Sequence, residues 1–178
     1  MATPVLAIAQ LASEIEAEGL TPKNAERVGG EIAKMFNVQP QEVGILRVEK
    51  TLLTFVYPPK LHSVGSIPLN TTGSVAARTA TARRAEVINN FAQTKHTTVF
   101  EAVELESKPK QIGGDKHDHT GHQIQKLMSV PVVGPSGVLG VIQVSRKGQS
   151  APAAGADFTA ADLQKLVGVA GALAKCFK

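Results

Sequence analysis

The sequence predicts an α+β protein, an antiparallel sheet with its helices set apart from it. Three observations carry that prediction. Helical periodicity gathers at the two ends of the chain, two strand-like runs double back on themselves, and the final segment is a capped apolar helix.

At the N-terminal end, Val5, Ile8, Ala9, Ala12 and Ile15 recur at helical spacing. A second helix opens at Thr21-Pro22, a capping residue followed by a proline whose missing N–H costs nothing in a first turn, with Val28, Ile32, Met35 and Phe36 as its apolar face. VGILRVE (43 to 49) and LLTFVYP (52 to 58) flank a tight Lys50-Thr51 connection and read as a hairpin. From Pro58 to Asn70 the chain is rich in Pro, Gly and Ser. TTGSVAARTATARRA then reads as a small helix capped by Thr71 or Thr72, with EVIN (86 to 89) as a short strand.

LMSVPVVGPSGVLGVIQVSRKG carries the strongest strand signal. Pro135 suits the second position of a β-turn and Gly137 its end, so residues 127 to 133 and 138 to 146 are expected to pair antiparallel. In the last segment Thr159 and Asp162 have capping-box spacing, and Phe158 and Leu163 have the spacing of a hydrophobic staple. Leu163, Leu166, Val167, Ala170, Leu173, Ala174 and Phe177 are the expected apolar stripe of a terminal helix.

At 178 residues the chain has the length of one domain, with N-terminal helices over 1–38 and a core over 43–177. No stretch approaches the roughly 20 apolar residues that cross a bilayer. The opening residues lack a basic start and apolar run, and Glu14, Glu16 and Glu18 are foreign to a transit peptide, so a cytoplasmic protein is expected. The only cysteine, Cys176, permits no internal disulfide, in keeping with a reducing compartment. The net charge of +4 is scattered, Arg83 and Arg84 are the only adjacent arginines, and aromatic residues are few, which argues against a nucleic-acid partner.

GGDKHDHTGH (113 to 122) raises a metal question. His117, His119 and His122, with Asp115 or Asp118, have suitable donor chemistry for zinc. Structural zinc sites usually join two separated pairs of ligands, whereas these histidines fall within six consecutive residues, where glycines add freedom that binding would remove. The sequence favours a solvated connection, with a lid over a pocket as one role for it, and no metal; metal binding is the alternative.

The run from about Val43 to Phe177 resembles a GAF domain, the ligand-binding module of phosphodiesterases, phytochromes and bacterial signalling proteins. The resemblance lies in GSIPLNTTGSVAART, EVINNFAQTKHTTVFEAV, LMSVPVVGPSGVLGVIQVSRKG and FTAADLQKL. It implies a central antiparallel sheet with the terminal helices on one face and, on the other, a small-molecule pocket covered by short helices and loops. From the residues themselves, Val141, Gln143 and Ser145 alternate with Ile142 and Val144, so polar side chains leave one face of an otherwise apolar strand. The expected ligand set is Thr54, Asn89, Asn90, Phe91, Ser129, Gln143 and Ser145. The other reading is that these groups only satisfy neighbouring backbone.

Departures from the family narrow the ligand without naming it, and the cofactor stays unknown. Against the NKFDE signature of cyclic-nucleotide binders, the aligned residues are Arg146, Lys147, Phe158, Asp162 and Leu163, which lack its first and last letters. Phe158 and Asp162 already have structural reasons to be there. Cys176 is near the terminus, away from where a bilin would attach. Free methionine-(R)-sulfoxide reductases, similar stand-alone proteins, need one thiol to attack and another to resolve the sulfenic acid, which one cysteine cannot supply. No nucleophile elbow occurs. The expectation is therefore a non-enzymatic regulatory module, homodimeric through its terminal helices, that senses a small molecule and signals through another protein. The alternative is a structural or interaction module on the same fold with its pocket filled.

Overall fold

The computed structural model describes residues 4–63, 65–91 and 123–177. Helices α1 (Pro4–Ile15) and α2 (Pro22–Phe36) lead through a 3-10 turn (Pro40–Glu42) into β1 (Val43–Glu49) and β2 (Leu52–Tyr57). After them come α3 (Pro59–His62), β3 (Ser66–Pro68), α4 (Val75–Ala82) and β4 (Glu86–Ile88). A long hairpin, β5 (Gln123–Gly134) and β6 (Gly137–Gly148), precedes the closing helix α5 (Ala160–Leu173). The six strands form one sheet in the order β3-β2-β1-β6-β5-β4, every neighbouring pair antiparallel. This is the α+β arrangement expected from the sequence.

Local chemistry sets the helix ends. Thr21 Oγ1 accepts from Asn24 N at 3.2 Å, and α2 ends on Asn37 in the left-handed region. At α5, Asp162 N donates to Thr159 Oγ1 at 3.1 Å while Thr159 N donates to Asp162 Oδ2 at 2.9 Å, a reciprocal capping box. The cap of α4 is Ser74, whose Oγ accepts from Ala77 N at 3.1 Å, and not Thr71 or Thr72. Thr71 N is spent on Pro68 O in the preceding turn, and Gly73 at positive φ redirects the chain before helical geometry begins.

Each face of the sheet has its own core. On the first, Val43, Ile45, Met128, Val130, Ile142 and Val144 pack against α1, α2 and α5 through Ile8, Ile15, Val28, Ile32, Leu166 and Leu173. On the second, Leu46, Leu53, Phe55, Leu127 and Val141 pack with Val75, Ala76 and Ala80 of α4 and with Phe91. The stripe of α5 differs from expectation at its flanks. Val169 and Cys176 join Leu166, Ala170, Leu173 and Phe177 in the core, whereas Val167 is 39% exposed and Leu163 and Ala174 are only partly buried. Spacings of three and four fit several neighbouring stripes; which one is buried depends on how the helix rotates against α1 and the sheet.

Candidate functional site on the second face of the sheet

The pairing of β5 with β6 places Ser129 opposite Gln143. Gln143 falls between Val141 and Ser145 on the face that α4 covers, as the alternation of β6 predicts. Gln143 Nε2 donates to Ser129 Oγ at 3.1 Å, Ser129 Oγ lies 2.7 Å from Thr79 Oγ1, and Thr79 Oγ1 donates to Val75 O at 2.8 Å. Each hydroxyl has one proton. Because Thr79 gives its proton to the helix carbonyl, Ser129 donates to Thr79 and accepts from Gln143. The chain therefore runs in one direction, from carboxamide to backbone, within a region where Gln143, Ser129 and Thr79 are 4%, 1% and 0% exposed. Among the described residues no hydrogen bond reaches the Gln143 carbonyl oxygen.

Thr79 is absent from the sequence-derived set. Its signal was present: it follows Val75 by four positions and Ala76 by three, a polar β-branched residue on the buried stripe of a small helix. Ser145, 1% exposed, donates to Glu42 O at 3.2 Å, fastening β6 to the turn before β1. Thr54 is not brought to the group. It sits opposite Arg47, between Leu53 and Phe55, which enter the second core, so it points away from it. Its hydroxyl is 3.4 Å from Glu49 Oε2. Phe91 is in the second core, and Asn90 is exposed.

Asn89, also in the expected set, has its carboxamide engaged with backbone. Its Nδ2 donates to Phe158 O at 3.0 Å and its Oδ1 accepts from Phe158 N at 2.9 Å, gripping the residue before the α5 cap. The histidine segment, His117, His119 and His122, lies outside the described residues. Among the described residues no group of three or more His, Cys, Asp or Glu gathers as a metal site.

No protein-family model matches the chain, and no curated protein matches it in sequence. Solved structures do match. The GAF domain of the Acinetobacter phosphoenolpyruvate-protein phosphotransferase superposes with a TM-score of 0.64 at 13% identity, over 99% of this chain and 94% of that one. The chain has a GAF fold. The GAF-B domain of DevS from Mycobacterium smegmatis gives a TM-score of 0.54 at 15% identity, over 88% of this chain and 92% of that one. fRMsr of Staphylococcus aureus, a methionine sulfoxide reductase solved in complex with substrate, gives 0.60 at 17% identity, over 100% and 98%. The GAF fold thus carries both signalling domains and an enzyme, and chemistry has to be argued from side chains.

In this GAF fold, Cys176 lies in the first core, its Sγ 3.4 Å from Ala12 O, on the face away from Gln143. Phe158 is buried there beneath the Arg146 guanidinium, 4.7 Å from the ring centroid, and Asp162 closes the α5 capping box. Both therefore have structural roles. No helix among the described residues is long and apolar enough to cross a membrane.

Proposed function

We propose that the chain is a small-molecule-binding sensory module, cytoplasmic and without catalytic activity, that reports through its terminal helices to a partner protein. The observation that carries this reading is the directed chain from Gln143 through Ser129 to Thr79. It fixes a carboxamide on the face opposite the terminal helices and leaves its carbonyl oxygen as an acceptor for a ligand N–H or O–H. Thr79, Ser129 and Gln143 include no acid or base, and Cys176 is on the other face, so the grouping suits binding better than catalysis.

The module is read as a homodimer. Leu6 and Val167 are 47% and 39% exposed on α1 and α5, and the same helices border an apolar groove of about 540 Å³ against Val133, Pro135 and Leu139. Sedimentation at high micromolar concentration tests this, and a monomer there contradicts it. One observation favours a second reading, a filled core without ligand: Ser129, Thr79 and Ser145 are already satisfied by protein partners. Native mass spectrometry of the purified chain separates the two. A co-purifying small molecule supports binding, and protein mass alone from every expression host supports the filled core.

A further inference from the structure

We propose that Asn89 couples packing on the second face of the sheet to the start of α5. The regulatory meaning of that coupling rests on the reading that the terminal helices are the output. Asn89 follows β4, where Val87 packs against the first core and Ile88 against the second, and two residues later Phe91 is 1% exposed in the second core. The Asn89 carboxamide takes both backbone groups of Phe158, at 3.0 and 2.9 Å, across 69 positions of sequence. Phe158 in turn precedes Thr159, the cap of α5, and its own ring is buried in the first core.

The chemistry of the grip is specific. A donor and an acceptor on one planar group match the N–H and C=O of a single residue; aspartate has no donor, and glutamine sets the amide one methylene farther out. Phe91 and α5 are on opposite faces of the sheet, so a shift of the short Val87–Phe91 stretch reaches α5 through this fork. Such coupling is a free energy between two sites, measured by the failure of two perturbations to add.

The test needs no ligand. Phe91→Leu perturbs the second core, and hydrogen exchange at the amides of Leu163 to Val167 reports the first turns of α5. Asn89→Ala is expected to speed that exchange roughly tenfold through loss of both bonds, with the α2 amides unchanged. Phe91→Leu is expected to speed it in the native background and to add little in Asn89→Ala. Equal effects of Phe91→Leu in both backgrounds, or none in the native one, would overturn the proposal. Should Asn89→Ala not fold, Asn89→Asp, which keeps the acceptor and loses the donor, takes its place with the same comparison. An empty pocket would sink the sensory reading and leave this result standing.

Discussion

The Lys126 ammonium meets the Asp157 carboxylate at 2.7 Å, yet the two partners live in different surroundings, with side chains 5% and 68% exposed. Lys126 Nζ also donates to Gly155 O at 2.5 Å, so one buried cation holds the segment before α5 to β5. Removing the carboxylate leaves a buried charge with one backbone partner, whereas removing the ammonium leaves a carboxylate in water. Asp157→Ala is expected to cost about 1–3 kcal/mol in denaturant unfolding. Adding Lys126→Met to Asp157→Ala is expected to recover most of it. A double variant as weak as the single one contradicts this account.

Two glycines are expected to respond in opposite directions. A Cβ on Gly140 would collide with the Leu46 carbonyl oxygen and the Phe177 ring, and the backbone oxygen cannot rotate away. Gly140→Ala is expected to cost about 1–3 kcal/mol. At Gly171, inside α5, a Cβ meets nothing within 4 Å, so alanine is expected to stabilise by about 0.5–1 kcal/mol. Thermal melts of the two variants check the pair.

Burial first, and the Glu26 carboxylate second, raise the Tyr57 phenol above its ordinary pKa of 10.0. The folded state therefore holds this proton more tightly than the unfolded chain, and stability falls as pH rises from about 10 through the folded-state value. Tyr57→Phe is expected to flatten that part of the pH–stability curve. An unchanged slope between wild type and variant contradicts the assignment.

The elements were readable in the sequence because their signals are local. Helical spacing, Thr21-Pro22, the Thr159/Asp162 box and the Pro135–Gly137 turn each act within a few residues. The polar face of β6 was readable for the same reason, since alternation alone puts Gln143 and Ser145 together. Thr54 lies away from the group because it faces Arg47 on β1 and Arg47 faces Gly140 on β6, one position off the Val141–Gln143 face, and this matching of faces across three strands is not visible in the local sequence. The buried position of Thr79 is visible in its helical spacing, but its pairing with Ser129 and the clamp of Asn89 on Phe158 are not, because those partners lie 50 and 69 positions away. Such contacts belong to the assembled fold. His117, His119 and His122 lie outside the described residues.

The central claim is that Gln143 presents its carboxamide to a small molecule. Gln143→Leu tests it most directly, compared with wild type for the small molecule retained in native mass spectrometry and for the melting temperature of refolded, ligand-free protein. The account predicts that the variant loses the retained molecule and that its ligand-free form melts somewhat lower, because the buried Gln143–Ser129 hydrogen bond is lost with or without ligand. A molecule retained equally by wild type and variant, or by neither, would contradict it.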